Sequence, residues 1–244
     1  MAKERIQKFL SRVGVASRRA AEEMVIEGRV LVNGAPVVEL PCFVDDGDDV
    51  RVDGRRVRPK AAGHVYFLLN KPRGVVCTQS DPQGRPRARD LVPAGRRRVY
   101  CAGRLDADTT GLIVLSDDGE LTQHLTHPSH EVPKTYVAEA DGKVEGPAIE
   151  RLRRGVWLDA GKTRPAGVKV LRRGPRRTLL ELRLSEGRNR EVRRILARLG
   201  HKVRRLKRTA IGPITDRGLK IGSQRPLRPA EVARLRKAGR WPAG

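Results

Sequence analysis

The segment GRLDADTTG at residues 103–111 leads directly into the apolar run LIVL at residues 112–115, and together they decide how this part of the chain folds. A polar, glycine-bounded segment before four aliphatic residues predicts a loop that enters a buried β-strand. The loop therefore sets Asp106 and Asp108 at the mouth of a sheet. A carboxylate held there has the fixed position that acid–base or nucleophilic chemistry requires.

The rest of the chain is strongly basic. Its 244 residues include 52 Lys+Arg and 28 Asp+Glu, which gives a formal charge of +24. Such a charge favours binding to the phosphates of RNA or DNA. An apolar content of 38% supports real hydrophobic cores, whereas an aromatic content of 3% argues against a surface of stacked bases. We therefore expect chemistry on a polyanion, with phosphate contacts dominating affinity.

The positive charge is unevenly distributed. Residues 1–60 hold 12 basic and 10 acidic residues, a net charge of +2, whereas residues 151–208 hold 21 and 4, a net charge of +17. The second half should therefore supply most of the electrostatic attraction to nucleic acid.

Cysteines and apolar runs indicate the cellular setting. Cys42, Cys77 and Cys101 are far apart and odd in number, which argues against a disulfide framework and a zinc knuckle. No apolar stretch approaches the length of a membrane span, and the N-terminus lacks the apolar run of a signal peptide. We expect a cytoplasmic protein that does not associate with membranes.

Three histidines raise the question of a metal site. His124, His127 and His130 recur at three-residue intervals, but Pro128 interrupts the helix and no cysteine or paired carboxylate completes a ligand set. We predict helix-end and loop residues here, and no bound metal.

The first 60 residues predict a small domain of two helices and several short strands. Apolar residues recur at helical spacing over residues 3–12, Ser17 is placed as the N-cap of a second helix, and Gly28 ends it. A strand follows at residues 30–32. Tight turns are expected at Asn33-Gly34, Asp46-Gly47 and Asp53-Gly54.

A breaker-rich linker at residues 58–63 separates a second domain, residues 64–244, whose pattern predicts an α+β fold around a mixed or antiparallel sheet. Strands are expected at residues 65–69, 99–102, 112–115, 135–138, 168–171 and 178–184. Helices are expected near residues 119–126, 147–153 and 190–199. The basic C-terminal tail at residues 223–244 predicts a helix with a frayed end.

The first domain resembles the S4 RNA-binding domain. The resemblance rests on RIQKFL at residues 5–10, SRRAAE at residues 17–22 and GRVLVNG at residues 28–34. It implies RNA contacts from Arg5, Lys8, Arg12, Ser17, Arg18, Arg19 and Arg29. The alternative is that these arginines are a solvated helical face.

The second domain resembles the pseudouridine synthases that modify ribosomal RNA, in the branch that carries an N-terminal S4 domain. The ordered motifs are NKPRG at residues 70–74, GRLD at 103–106 with DTTGL at 108–112, KTY at 134–136 and EGRNREVRR at 186–194. The resemblance implies a mixed, largely antiparallel sheet flanked by helices. It also implies conversion of uridine to pseudouridine without a cofactor, because the reaction breaks the bond from ribose C1′ to N1 and rejoins the ring through C5.

The resemblance assigns the catalytic roles. Asp106 is the catalytic carboxylate, which attacks C1′, adds to the uracil ring or removes the 2′ proton; the sequence leaves these routes open. Asp108 is the competing carboxylate, with a turn-capping role as its alternative. Tyr136 lies against the uracil and helps remove the C5 proton, or is a core residue. Arg193 pairs with the catalytic aspartate, and Arg188 is the fallback.

The remaining basic residues are assigned to RNA. The target base must be extruded into the pocket, and phosphate contacts can offset that cost. On a helix at residues 189–199, Arg190, Arg194 and Arg198 lie four apart on one face and can line phosphates, while Arg193 turns toward the pocket. The predicted contacts of this domain are Lys71, Arg73, Arg104, Arg188, Arg190 and Arg194, with solubility as the alternative explanation of the charge.

Two other functions compete with the enzyme. A ribosome assembly factor would use the S4 domain and the basic surface without catalysis. A DNA-binding regulator lacks a helix-turn-helix or zipper signal. We expect ribosomal RNA as partner, in subunits or assembly intermediates, with large-subunit rRNA favoured over small-subunit rRNA and over transfer RNA, and a monomeric enzyme.

Overall fold

The computed structural model describes residues 3–45, 47–58, 63–95, 97–159 and 161–239. They form two compact units. The first is the chain up to His64 together with Arg97 and Arg98, and the second comprises Val65–Gly95 and the chain from Val99 onward. Asp46 of one predicted turn, linker residues 59–62 and tail residues 240–244 lie outside the described residues.

The described residues of the first unit form two helices and six short strands. In chain order these are β1 (Glu4–Arg5), α1 (Ile6–Arg12), α2 (Arg18–Ile26), β2 (Val30–Val32), β3 (Ala35–Val37), β4 (Phe43–Val44), β5 (Val50–Val52) and β6 (Arg55–Val57). An antiparallel sheet has the strand order β3-β2-β5-β6, and β1 pairs with β4. Apolar residues of both helices and the sheet form one core.

Local sequence signals account for the shape of this unit. The Ser17 hydroxyl accepts a hydrogen bond from the amide of Ala20 at 3.1 Å, which confirms it as the N-cap of α2. Gly28 follows the end of α2 with φ +69°. Both residues of Asn33-Gly34 and of Asp53-Gly54 have positive φ and join adjacent antiparallel strands. These are the two-residue hairpin turns that such pairs favour.

The second unit is built around one large sheet. Its elements are β7 (Tyr66–Lys71), β8 (Tyr100–Cys101), β9 (Thr110–Ser116), α3 (Gly119–Thr126), β10 (Lys134–Asp141), α4 (Gly146–Arg154), β11 (Trp157–Leu158), β12 (Gly161–Lys162), β13 (Gly167–Arg173), β14 (Arg177–Leu184), α5 (Glu191–Arg198), β15 (Val203–Ile211), β16 (Ile214–Thr215), β17 (Gln224–Pro226) and α6 (Pro229–Lys237). The six predicted strands and three predicted helices are all present, and α6 begins within the predicted C-terminal segment.

The sheet has nine strands, in the main order β13-β14-β10-β15-β9-β7-β17, with β16 beside β15 and β8 beside β9. Its pairs are antiparallel except for β9 and β15, which run parallel. Apolar residues of α4 and α5 form a core with β10 and β14, and those of α3 and α6 form another with β7 and β9. The predicted mixed, largely antiparallel sheet flanked by helices is confirmed. No helix within the described ranges is long and apolar enough to cross a membrane.

The central strand β15 is missing from the sequence prediction. Its sequence VRRLKRTAI contains four basic residues, and no clean alternation marks it as a strand. The apolar residues Val203, Leu206 and Ile211 are nonetheless buried. Arg204 and Arg205 are exposed and Lys207 is half-buried, so these long side chains can keep their charges outward, whereas Arg208 is buried.

One carboxylate, that of Glu231, connects helix α6 to strand β17 through hydrogen bonds. Glu231, in the first turn of α6, receives hydrogen bonds from Arg225 Nη1 and Nη2, both at 2.7 Å, and from the amide of Arg228 at 2.9 Å. The Arg225 guanidinium and the Arg228 amide lower the pKa of Glu231 to about 2. A carboxylate whose pKa falls on folding stabilises the native state above its unfolded pKa, and that contribution is lost as the pH falls toward the folded pKa.

We expect Glu231→Gln to lower the free energy of unfolding by about 1–2 kcal/mol at pH 7, a range that allows for the partial exposure of Arg225. The difference in unfolding free energy between the variant and wild type should shrink at pH 3. At that pH the stabilisation from the low pKa of the native Glu231 carboxylate is partly lost. Urea unfolding at both pH values measures it. Glu150→Gln is the matched control, since Glu150 pairs with Arg153 and both side chains are half exposed. An equal difference at both pH values contradicts the prediction.

Candidate active site

The loop between β8 and β9 holds Asp106 by backbone contacts. The amide of Thr109 donates to the carbonyl of Asp106 at 3.0 Å, and the amide of Gly74 donates to the carbonyl of Ala107 at 2.7 Å. The preceding Leu105 is buried in the core. Asp106 therefore lies on a turn that its own loop and the segment after β7 both fix.

Arg190 supplies the cation beside Asp106. Its Nη1 lies 3.1 Å from Asp106 Oδ2 and 3.7 Å from Asp108 Oδ1. Helical spacing predicts Arg190 on one helix face with Arg194 and Arg198, and the structure corrects this. Arg190 is the N-cap of α5 with a left-handed backbone, φ +47°, so its side chain departs from the helix and reaches the loop.

Arg193, predicted to pair with Asp106, contacts the other carboxylate of the loop. Its Nη2 lies 2.9 Å from Asp108 Oδ2, and its Nη1 donates to the carbonyl of Val203 at 3.0 Å. The structure thus corrects the predicted pairing, because the first turn of α5 directs Arg193 toward Asp108. This contact also gives Asp108 an ion-pair role.

Arg188, the fallback partner, is held by the segment around β12. Its Nη1 and Nη2 donate to the carbonyls of Gly161 and Lys162, each at 2.9 Å, and its Nε lies 2.6 Å from Glu186 Oε2. These contacts fix the position of the Arg188 guanidinium.

A cavity of about 370 Å³ opens beside Asp106. Asp106 and Tyr136 line it, together with Arg104, Arg188 and Arg190. Arg193 is not among the described residues that line it. Small-molecule sites usually measure about 300–1,000 Å³, so the cavity suits one small molecule or one extruded nucleotide.

Titratable groups from three elements meet in the floor and wall of the cavity. Burial, and then the charge of Arg208, lower the pKa of Lys134 to about 8. Burial and the nearby carboxylate of Glu186 raise the pKa of Glu191 to about 7. Arg208 is 3% exposed and donates from Nε to the carbonyl of Leu112 at 2.6 Å. Groups with pKa values shifted toward neutrality are typical of catalytic sites.

Lys71 does not act as predicted. It is fully buried, and its Nζ donates to the carbonyls of Pro72 at 2.9 Å and Val75 at 2.8 Å. Burial lowers the pKa of Lys71. A side chain with no exposed surface does not reach a phosphate, so the predicted RNA contact is wrong; Lys71 shapes the turn after β7.

Most other predicted RNA contacts lie on the surface. In the first unit the predicted basic contacts are exposed: Arg5, Lys8, Arg12, Arg18, Arg19 and Arg29. Lys8 and Arg12 pair with Glu4, and Arg29 pairs with Asp53 and Glu27. The Ser17 hydroxyl caps α2. In the second unit Arg73 and Arg104 are exposed, and Arg194 Nη2 lies 2.8 Å from Asp159 Oδ2.

Known proteins resemble this chain in sequence and in fold. Residues 65–198 match the family model described as RNA pseudouridylate synthase, and residues 4–38 match that of the S4 domain. The chain belongs to the RNA pseudouridylate synthase family. Both resemblances drawn from the motifs are confirmed as family assignments, whereas the roles of individual residues in this pseudouridylate synthase stay predictions.

Two relatives and one solved structure are similar to this pseudouridylate synthase along nearly its whole length. The ribosomal large subunit pseudouridine synthase B of Bacillus subtilis is 44% identical over 235 residues, 96% of each chain. An uncharacterized RNA pseudouridine synthase of Mycobacterium bovis is 47% identical over 96% of this chain and 93% of the relative. A crystal structure of a pseudouridylate synthase superposes with a TM-score of 0.69 at 31% identity, over 95% of this chain and 99% of the other.

Sequence reasoning missed three groups of the cavity of this synthase. Lys134 and Glu191 lie in quoted motifs but received no role, and Arg208 was not singled out. Reading residues 203–211 as a strand would have placed Leu206 and Arg208 on one face, since alternate residues share a face. The basic run hid that signal.

Proposed function

We propose that this synthase converts one uridine of ribosomal RNA to pseudouridine, in the large-subunit rRNA. The observation that supports the proposal most is the Asp106 carboxylate, paired with Arg190 at 3.1 Å in a cavity that Tyr136 also lines. The Bacillus subtilis relative, named a ribosomal large subunit enzyme, supports the choice of RNA.

The geometry suits a reaction on one extruded nucleotide. Asp106 reacts at C1′, at the uracil ring or with the 2′ proton, and the charge-assisted contact with Arg190 orients its carboxylate. Tyr136 extends from β10 into the same cavity, where its ring can lie against the uracil and its hydroxyl can help remove the C5 proton.

Basic side chains at the mouth of the cavity support extrusion of the base. Arg104 and Arg190 are exposed there, and the part-buried Arg188 lies beside them. Unstacking a base costs a few kcal/mol, which contacts to the flanking phosphates can offset. Arg73 and Arg194 extend the same basic surface. The S4 unit adds a separate RNA-binding surface through Arg5, Arg18 and Arg19, which are exposed.

The remaining features of the proposal concern the setting. The enzyme acts in the cytoplasm, as a monomer, on ribosomal subunits or their assembly intermediates. A long structured RNA is the substrate for which two separate basic units are useful, because binding through both raises the effective concentration of the second contact.

Pseudouridine mapping of both rRNAs tests the proposal. Carbodiimide labelling and primer extension on RNA from cells that lack the protein should show the loss of one large-subunit stop, which wild-type protein restores. Purified protein should restore the same stop on rRNA or subunits from those cells. A lost stop in small-subunit rRNA contradicts the choice of subunit, and an unchanged map in both rRNAs contradicts the ribosomal substrate.

A further inference from the structure

Arg208 occupies the most enclosed position among the cations of the cavity. It lies on β15 opposite Tyr136 of β10 in the strand register, and beside Gly111 of β9. Its side chain lines the cavity although the residue is only 3% exposed. The hydrogen bond from its Nε to the carbonyl of Leu112, at 2.6 Å, fixes the plane of the guanidinium.

One end of this guanidinium has no partner. Arg208 Nη2 is buried and makes no hydrogen bond to any described residue. Within the described part of the chain, no carboxylate lies within ion-pair distance of Arg208 either. Buried charges are normally paired, and a buried donor without an acceptor costs about 1–3 kcal/mol. A guanidinium with an unused donor, on a residue that lines the cavity, indicates that the ligand brings an acceptor.

The position of Arg208 favours the base as that acceptor. Arg104 and Arg190 are exposed at the mouth, where a backbone phosphate would lie, whereas Arg208 is behind them and adjacent to Tyr136. After burial, the charge of Arg208 is a cause of the lowered pKa of neighbouring Lys134. A planar ring with two carbonyl oxygens is the part of a uridine that reaches this depth.

We propose that Arg208 is a catalytic residue whose guanidinium donates a hydrogen bond to a carbonyl oxygen of the uracil and stabilises the negative charge that the ring carries during isomerisation. This inference rests on the proposed function. Donors fixed where charge develops, in a site shielded from water, lower a barrier more than they strengthen substrate binding.

The need for such a donor does not depend on which route Asp106 takes. When the C1′–N1 bond breaks, its electron pair stays on the ring and spreads over N1 and both carbonyl oxygens. C1′ is then bonded to the carboxylate oxygen, or it shares a double bond with C2′ that forms when the 2′ proton is lost. When the carboxylate adds to the ring instead, the displaced electron pair moves to a carbonyl oxygen. When C5 bonds to C1′, the carboxylate oxygen leaves C1′, or C2′ regains its proton, and the ring becomes neutral. Removal of the C5 proton and protonation of N1 then give pseudouridine, and a carboxylate that had added to the ring leaves it.

Single-turnover rates of Arg208→Met on two substrates test the inference. We expect a loss of about 10²–10³-fold on RNA with uridine at the target position, as for other removed charge-stabilising donors, with RNA affinity changed less than about threefold. On RNA with 5-fluorouridine at the target position, Arg208→Met should slow consumption of the nucleoside by a factor at least about tenfold smaller than on uridine. The reason is that fluorine itself stabilises the ring anion. Nucleoside chromatography after nuclease digestion measures both rates.

Arg205→Met is the matched control, since Arg205 lies on the same strand with its side chain 85% exposed, and it should retain the wild-type rates. If Arg208→Met does not fold, as judged by its thermal unfolding, Arg208→Lys replaces it; lysine cannot fill both donor positions, and the difference between substrates should remain.

Three results would overturn the inference. One is an unchanged rate. Another is an equal loss on both substrates, which indicates a structural role. A weaker RNA affinity with an unchanged rate constant indicates a phosphate contact instead. If wild-type protein converts neither substrate, the proposed function fails, and the result is distinguishable from a failure of Arg208 alone.

Discussion

Asp106→Asn should reduce pseudouridine formation by about 10⁴-fold or more, the loss typical of removing a group that reacts directly. The amide keeps the size of the side chain but is neither a nucleophile nor a base. RNA affinity should stay the same or increase slightly, because the change removes a negative charge from a basic surface and frees Arg190 from its partner. Release of tritium from 5-tritiated uridine measures the rate, and filter binding measures the affinity.

Asp108→Asn is the control that the loop itself offers. Asp108 is two residues away and lies 2.9 Å from Arg193, so it shares the charge environment. We expect a loss of no more than about tenfold, because the change weakens a positioning ion pair and leaves the reacting carboxylate in place. Retained turnover in Asp106→Asn, together with an inactive Asp108→Asn, would reverse the assignment of the two carboxylates.

Gly111→Ala should lower the free energy of unfolding of the second unit by about 3 kcal/mol or more, from backbone strain and overpacking together. Gly111 has φ +113°, a backbone conformation that residues other than glycine rarely adopt. A Cβ added there would lie 2.2 Å from the carbonyl oxygen and 2.5 Å from the amide nitrogen of Arg208. Either β9 and β15 separate or the chain distorts at the centre of the sheet. Urea unfolding followed by circular dichroism measures the loss.

Gly84→Ala separates the two causes. Gly84 also has positive φ, +67°, but a Cβ there meets no heavy atom within 4 Å. Its substitution should cost only about 1–2 kcal/mol, the penalty for a left-handed backbone alone. Equal losses in the two variants would show that the close approach of β9 to β15 contributes nothing.

Local signals predicted much of the fold. Ser17 caps α2, the Asn33-Gly34 and Asp53-Gly54 turns join strands, and the aliphatic run after the Asp106 loop is the buried strand β9. Each depends on residues within a few positions of one another, where propensity and hydrogen bonding decide the outcome. The motifs identified the family and placed Asp106 and Tyr136 in one cavity.

What the sequence did not predict depends on contacts across the chain. Arg190 and Asp106 are 84 residues apart, and their contact needs the left-handed turn at Arg190, which helical spacing does not indicate. Lys71 was predicted to bind phosphate because a lysine in a loop motif is normally exposed. Its burial depends on the carbonyls of Pro72 and Val75, which only the folded loop brings together. Arg208 belongs to a strand whose own composition concealed it.

The ion pairs of the surface arginines limit how strongly salt can weaken RNA binding. Each phosphate that is neutralised releases a bound cation from the RNA, and this release makes affinity depend on salt. Several candidate contacts already have a carboxylate partner: Arg12 with Glu4, Arg29 with Asp53 and Arg194 with Asp159. When such an arginine turns to a phosphate, the abandoned carboxylate takes up a cation from solution. Uptake cancels part of the release, so the enzyme holds its RNA across a wider range of ionic strength than its count of arginines suggests.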